Sequence, residues 1–230
     1  MCNPTQPAPP VGKNPLLLYY ITGRAQFSGS ETDRQKNLLE RITACALAGV
    51  DYVQLREKDL STRALEQLAR RAMAALPAGS TTRMLINSRL DVALACGAHG
   101  VHLPANYLSA SEARAIFARA GHAHPIIGIS AHSAAEVATA ESHGADFAVF
   151  GPVFEKAGRT NHDGVNHLAA AARSSMPVLA LGGISLENAE QCLQAGAAGI
   201  AAIRMFQQGD VSATVKSLRS LQAARSSAGC

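Results

Sequence analysis

The stretch AGVDYVQL at residues 48–55 sets one glycine before a run of apolar residues. Three further stretches repeat the pattern: CGAHGVHL at 96–103, HGADFAVF at 143–150 and AGAAGIAAI at 195–203. Glycine adopts the left-handed conformation that ends many helices at no steric cost, and a short apolar run is typical of a buried strand. Each stretch therefore predicts the end of a helix followed by a strand.

A second set of apolar runs lies between these stretches: LLLYYIT at 16–22, MLIN at 84–87, PIIGIS at 125–130 and PVLALGG at 177–183. The intervening segments carry apolar residues at helical spacing, and several open with capping residues, namely Ser61, Ser109 with Glu112, and Ser185. Eight apolar strands alternating with helices predict an α/β fold, a single (β/α)8 TIM barrel at 15–225. A doubly wound open sheet is the alternative, but its GxGxxG fingerprint is missing.

The two ends of the chain are predicted to lie outside the barrel. Residues 1–14 are rich in proline and lack the apolar core of a signal peptide, so they are expected to form a disordered leader. Residues 226–230 are expected to be a flexible tail.

Composition narrows the class of partner. The net charge of +4 comes without a run of basic residues, which favours a small anionic ligand over nucleic acid. No apolar run approaches the roughly 20 residues that span a bilayer, so no membrane segment is predicted. Cys45, Cys96 and Cys192 lie among alanine and leucine, as small core residues do in a reducing cytoplasm. A homo-oligomer is compatible with these features.

Charged residues follow the predicted strands at their carboxyl ends, where barrels of this kind carry their active sites. In DYVQLREKD at 51–59, four charges follow the apolar run with no turn residue between. Five cations are predicted around the same rim: Arg56, Lys58, Lys156, Arg159 and Arg204. So many positive charges favour a polyanionic ligand.

The stretch ALGGIS at 180–185 predicts a phosphate cradle. Its Gly182 and Gly183 would expose backbone N–H groups, and a helix expected to begin near Ser185 would add its N-terminus. The loop after the eighth strand usually completes such a cradle in this fold.

Several polar residues also have structural interpretations. Arg56 and Glu57 could pair with each other across the rim. His102 is as well explained by a core or rim position as by catalysis, and His132 could be a neighbour of a helix cap rather than a catalytic group. No histidines and acids show a spacing that predicts zinc.

Taken together, the motifs resemble one family, the thiamine phosphate synthase and thiazole tautomerase (TenI-like) superfamily of thiamine biosynthesis. The resemblance runs from Leu18 to Phe206 and rests on motifs in the family's order: YYIT, QLREKD, INSRLDVAL, GAHGVHLP, IIGISAHS, GADFAVFGPVF, ALGGIS and GAAGIAAI. In the synthase, a hydroxymethylpyrimidine pyrophosphate ionises to a pyrimidine methyl cation. The nitrogen of a thiazole phosphate captures this cation as pyrophosphate leaves.

The resemblance implies a role for three sets of residues. Those implied to bind the pyrimidine pyrophosphate are Gln54, Arg56, Lys58 and Asn87. Those implied to act in catalysis are Ser130, His132 and Arg159, the last in place of a family lysine. Those implied to seat the thiazole phosphate are Gly182, Gly183, Ile203 and Arg204.

The departures from the synthase pattern leave three functions open. By resemblance, the two positions that hold Mg²⁺-binding aspartates in the synthase are Ser88 and Tyr107 here. Mg²⁺ is expected for a synthase, although its usual ligands are absent. HLPANYLS at 102–109 looks more like the tautomerase branch, in which His132 would move a proton and no cofactor would be needed. The third possibility is a non-catalytic binder of thiazole phosphate. All three imply small phosphorylated ligands.

Overall fold

The computed structural model describes residues 15–154 and 163–228, with the side chains of 222–228 left outside the description. The strands are β1 (Leu17–Ile21), β2 (Tyr52–Leu55), β3 (Arg83–Asn87), β4 (Gly100–Leu103), β5 (Ile126–Ala131), β6 (Phe147–Phe150), β7 (Val178–Leu181) and β8 (Gly199–Ala202). The described α-helices are α1 (Glu31–Ala48), α2 (Thr62–Ala74), α3 (Leu90–Cys96), α4 (Ala110–Arg119), α5 (Ala134–Ser142), α6 (Gly164–Ala171), α7 (Ala189–Gln194), α8 (Arg204–Gln207) and α9 (Val211–Ala228). A 3₁₀ helix, Arg24–Gln26, follows β1.

The strands form one closed parallel barrel in sequence order, and β8 pairs with β1. Closure brings Tyr19 opposite Ala201 and Tyr20 opposite Ala202. The predicted (β/α)8 barrel is therefore confirmed and the open sheet is excluded, because an open sheet would leave β1 and β8 unpaired with each other.

The pleat of the strands separates two apolar cores, because successive side chains of a strand point to opposite faces. One core fills the barrel, where Phe147 stacks on Tyr52 with ring centroids 4.9 Å apart and meets Tyr19 edge to face at 5.4 Å. The other core lies between the outer strand faces and the helices, and Leu18 and Tyr20 belong to it. Both faces of the strands are buried, which explains their nearly continuous apolar sequence.

The four glycines of the repeated stretches all have positive φ, from 67° to 97°, as the sequence predicted. Ser61 and Ser109 cap α2 and α4 as predicted, and Ser109 forms a reciprocal capping box with Glu112. The prediction for Ser185 is wrong, since α7 begins at Ala189. The residues between them form a turn.

The predicted cysteine environment is confirmed: Cys45 and Cys192 are buried and Cys96 is half-buried, and all three are free thiols. Burial raises the pKa of Cys45 and of Cys192 to about 12, so both thiols are protonated and inert. None of the described helices has the length and apolar character needed to cross a bilayer. The predicted leader lies outside the described residues, as do residues 229–230 of the predicted tail, and the domain bounds stay a prediction.

Phe147 offers a test of the barrel core. Phe147→Ala is expected to lower the free energy of unfolding by about 3–5 kcal/mol, because the cavity would lie between the buried ring of Tyr19 and the half-buried ring of Tyr52. Chemical denaturation measures this value. Leu47→Ala is the control, since that side chain is 73% exposed and its loss should change stability by less than about 0.5 kcal/mol. Equal losses in both variants would contradict the assignment of Phe147 to a packed interior.

Candidate active site

A buried arginine organises the rim between β1 and β2. Arg24 is only 6% exposed in its side chain and is surrounded by three carboxylates. It donates two hydrogen bonds of 2.7 Å to Asp59, one of 2.7 Å to Glu31 and one of 3.1 Å to Glu57. These partners raise the pKa of Arg24, with Asp59 the largest cause, and Arg24 lowers the pKa of the Asp59 carboxyl. The guanidinium therefore compensates the buried charge of Glu57.

The four charges of QLREKD divide into an acidic pair that binds Arg24 and a basic pair that has no acidic partner among the described residues. Glu57 and Asp59 turn toward Arg24, so the predicted alternative of an Arg56–Glu57 pair is wrong. Within the described ranges, 15–154 and 163–228, neither Arg56 nor Lys58 has an ion-pair partner. Arg56 is half-buried and Lys58 is exposed. The two cations are available to a ligand because Arg24 binds the two acids.

The inner wall of the barrel carries a line of neutral polar side chains near its carboxyl end. Asn87 is in register with His102 on the next strand, and His102 Nε2 lies 2.9 Å from Ser130 Oγ. Gln54 lies beside the Tyr19 hydroxyl, yet neither its Nε2 nor that hydroxyl makes a well-formed hydrogen bond with a described residue. Three predicted site residues thus share one wall, and Gln54 presents an unsatisfied donor there.

His102 is buried as a neutral imidazole. Burial lowers its pKa to about 3, and the positive charge of Arg56 adds to the effect. Its Nδ1 has no partner among the described residues. A side chain at position 128 would clash with the His102 ring, since a Cβ on Gly128 would lie 2.8 Å from that nitrogen. The sequence offered a core or catalytic position for His102. The contact with Ser130 is a tertiary feature that strand spacing did not predict.

His132 lies on the rim beyond β5, and its side chain is exposed. Its Nδ1 lies 2.5 Å from the carbonyl oxygen of Gly151, which can only accept, so Nδ1 carries the proton; among the described residues, Nε2 has no hydrogen-bond partner. Its backbone N–H donates to Glu136 at 2.7 Å. The contact with Gly151 therefore holds the ring in one tautomer.

Both glycines of the pair after β7 have a positive φ, which L side chains rarely adopt. Gly182 and Gly183 have φ of 100° and 63°. A Cβ on Gly182 would lie 2.7 Å from Pro152, and one on Gly183 would lie 2.6 Å from the Phe154 carbonyl oxygen. The pair therefore packs closely against the segment that follows β6.

The cradle lacks the helix N-terminus that was predicted for it. Asn188 accepts a hydrogen bond of 2.8 Å from the backbone of Ser185 and donates one of 3.0 Å to the Gly183 carbonyl oxygen. This side-chain bridge stabilises a turn where the sequence predicted a first helical turn. The glycine turn is therefore followed by a second turn and not by the predicted helix end.

The end of β8 is tied to the end of β1 through Gln207. Ile203 and exposed Arg204 lead into α8. The buried Gln207 of this helix donates a hydrogen bond of 2.8 Å to the Gly23 carbonyl oxygen and accepts one of 3.0 Å from the Tyr20 hydroxyl. Gln207 was not among the predicted site residues, because its role depends on barrel closure. Arg159 and Lys156, predicted for the loop after β6, lie outside the described residues.

Residues 18–206 match the profile of a family described as thiamine monophosphate synthase (TMP-TENI). The chain belongs to the thiamine monophosphate synthase family. A putative thiamine-phosphate synthase of Geobacter sulfurreducens is 43% identical over 197 residues, covering 84% of this chain and 87% of the relative. A thiamine-phosphate synthase of Enterococcus faecalis is 34% identical, covering 82% and 85%. The family resemblance predicted for Leu18 to Phe206 is confirmed.

A solved structure agrees with this family assignment. Thiamine phosphate pyrophosphorylase from Pyrococcus furiosus superposes with a TM-score of 0.74 at 29% identity, covering 91% of this chain and 96% of that one. The names of these relatives belong to the synthase branch of the predicted superfamily.

The two positions predicted to correspond to the family's metal-binding aspartates carry no acidic residue here. Ser88 accepts a hydrogen bond of 3.1 Å from Asn87, and Tyr107 is 58% exposed. Among the described residues, no group of three histidine, cysteine, aspartate or glutamate side chains is close enough to hold a metal ion. These residues do not fit a protein-held Mg²⁺, which prefers anionic oxygen ligands.

The buried His102 predicts an acid-dependent loss of stability. Its pKa is about 3 in the folded chain and 6.5 as an ordinary imidazole, so the unfolded state takes up a proton first as the pH falls. This contribution is complete above about pH 6.5 and is lost progressively toward pH 3. As the pH falls from 6.5 to 5, the free energy of unfolding of the native chain is expected to decrease by about 1.5 kcal/mol more than that of His102→Gln. Urea denaturation measures both values.

His124→Gln is the control for this measurement. That imidazole is exposed, so its removal is expected to leave the pH dependence of the native chain unchanged. If His102→Gln instead kept the same pH dependence, His102 would not be buried as a neutral group.

Proposed function

We propose that this chain is a thiamine phosphate synthase, a transferase that joins hydroxymethylpyrimidine pyrophosphate to thiazole phosphate and releases pyrophosphate. The observation that carries the proposal is the division of QLREKD: Arg24 engages the two acids, while Arg56 and Lys58 have no acidic partner among the described residues. The reaction develops negative charge on a leaving pyrophosphate, and fixed cations are the groups that stabilise it. The synthase names of the relatives support the same activity.

In the proposed reaction, the bond between the pyrimidine methylene carbon and the pyrophosphate oxygen breaks, and its electron pair leaves with pyrophosphate. The thiazole nitrogen lone pair forms the new C–N bond, so no external acid, base or oxidant is required. Arg56 and Lys58 would bind the pyrophosphate, together with Arg159 from the loop after β6. Half-burial of Arg56 strengthens its electrostatic interaction relative to a fully solvated arginine.

The neutral inner wall suits the pyrimidine. The unsatisfied Nε2 of Gln54 is a buried donor, and a buried polar group without a partner favours binding a ligand that supplies one. Asn87 and Ser130 would complete this polar wall, with His102 fixing the Ser130 hydroxyl at 2.9 Å. A neutral His102 also avoids placing a further charge beside the pyrimidine methyl cation.

The thiazole phosphate is proposed to bind at the other side of the mouth. Backbone N–H groups of Gly182 and Gly183 would contact its oxygens, with the backbone of Ile203 and Arg204 after β8 closing the cradle. The Arg204 side chain is exposed and adds positive charge there. Small phosphorylated substrates are thus the proposed partners, and the cytoplasm is the proposed location.

Thiazole tautomerase is the second candidate, favoured by one observation. His132 is fixed in a single tautomer by the Gly151 carbonyl oxygen, which leaves Nε2 free as a proton acceptor on the rim. Proton transfer by such a group contributes typically 10²- to 10⁴-fold to a rate. It requires no pyrophosphate site, so the two functions make different demands on Arg56.

Arg56 provides the test of the proposed function. Purified protein given hydroxymethylpyrimidine pyrophosphate, thiazole phosphate and Mg²⁺ is expected to form thiamine phosphate and pyrophosphate, measured by chromatography. Arg56→Gln is expected to lower kcat/KM about 10²-fold by removing charge stabilisation of the leaving group. Arg70→Gln is the control, because that arginine lies on α2 and pairs with Glu66 at 2.8 Å.

Absence of thiamine phosphate from the native chain would overturn the synthase proposal. Isomerisation of a thiazole carboxylate phosphate that His132→Ala abolishes and Arg56→Gln leaves intact would then establish the tautomerase. Binding of thiazole phosphate without either turnover would indicate a non-catalytic binder.

The metal positions give a separate prediction. Ser88 has φ of 61°, a conformation that aspartate tolerates, and Tyr107 is exposed, so Ser88→Asp with Tyr107→Asp is expected to fold normally. The double variant is expected to bind Mg²⁺ at least tenfold more tightly than the native chain by calorimetry, because it gains two anionic oxygen ligands. Ser88→Asn with Tyr107→Asn is the uncharged control. Equal Mg²⁺ affinity in both double variants would contradict the placement of the two positions at one site.

A further inference from the structure

The segment 22–24, directly after β1, holds the loop that follows β2 at several points. Thr22 Oγ1 donates a hydrogen bond of 2.6 Å to Glu57 and accepts one of 3.0 Å from the backbone N–H of Arg56. The backbone N–H of Arg24 donates to both Glu57 oxygens at 3.2 Å. One short segment thereby fixes the backbone of Arg56 and the side chain of Glu57.

The guanidinium of Arg24 adds a second fixed point beyond Lys58. Its Nη1 and Nη2 each bind one oxygen of Asp59 at 2.7 Å, a bidentate geometry that sets the orientation of the carboxylate plane. Lys58 therefore lies between Glu57 and Asp59, both of which are anchored to Arg24. The exposed lysine has little freedom to move its backbone.

We propose that Arg24 is a positioning residue that sets the spacing of the Arg56 and Lys58 cations by holding Glu57 and Asp59. The inference rests on the proposed function, in which these two cations bind pyrophosphate. Arg24 itself is buried beneath the rim and paired with acids, so it acts through the loop and does not contact the substrate.

Electrostatics alone would not place these acids here. Three carboxylates surround one guanidinium, so the cluster carries excess negative charge close to the cations that would bind an anion. Such charge weakens anion binding. Removing Asp59 should therefore tighten the binding of pyrophosphate if only charge matters, and weaken it if the loop geometry matters. The sign of the change separates the two explanations.

Asp59→Asn is the test and Glu31→Gln is the matched control. Both remove one acidic partner of Arg24, but Asp59 lies in the loop with the cations whereas Glu31 lies on α1. Their side chains are 67% and 48% exposed, so neither change buries an unpaired charge. Substitution of Arg24 is a poorer test, because it would leave Glu57 buried without its counter-ion.

Calorimetry with inorganic pyrophosphate, steady-state kinetics and thermal denaturation provide the readouts. Asp59→Asn is expected to bind pyrophosphate about 3- to 10-fold more weakly and to raise KM for the pyrimidine pyrophosphate by a similar factor. Its KM for thiazole phosphate and its thermal midpoint should stay near those of the native chain. Glu31→Gln should bind pyrophosphate no more weakly than the native chain and should match it in the other three measurements.

Unchanged or tighter pyrophosphate binding by folded Asp59→Asn would overturn the inference, as would equal weakening in both variants. The proposed function fails separately: a native chain that forms no thiamine phosphate would refute it. A native chain that binds pyrophosphate and forms thiamine phosphate, with Asp59→Asn equally able, would refute only the role of Arg24.

Discussion

Hydrogen bonding between β8 and β1 is the constraint on which the rest of this structure depends. Once the ring is closed, all eight strands end at one rim, and the two-residue period of the pleat fixes which side chains face inward. Gln54, Asn87, His102 and Ser130 then share one inner wall, although they lie on four different strands. A shift of one residue in any strand would move its polar side chain to the helix layer.

The inner wall of the barrel and the rim above it differ in charge. The inner wall is neutral, since desolvation keeps His102 unprotonated. Arg24 binds the acids of the QLREKD loop, whereas its two cations have no acidic partner among the described residues. A buried carboxylate such as Glu57 requires this compensation, because an unpaired buried charge is strongly destabilising. The same contacts that stabilise the loop therefore expose its cations to a ligand.

The family relationship and the departures from it concern different parts of the rim. The loop after β2 and the glycine turn after β7 keep the motifs of the thiamine monophosphate synthase family. The loops after β3 and β4 differ, with Ser88 and Tyr107 at the expected acidic positions. One loop of this scaffold can differ from the family pattern while another keeps it, because the loops follow different strands.

The sequence by itself determined the barrel, because glycine at each helix end and an apolar run after it are local features. It also indicated Arg56 and Lys58 as candidates from their place after a strand, and Gln54 through the family resemblance. It did not determine which charges pair: Arg24 reaches Glu57 and Asp59 across more than thirty residues of chain. Only the tertiary structure decided this, and likewise the turn that replaces a helix start at Ser185, because contacts between distant strands depend on closure rather than on local spacing.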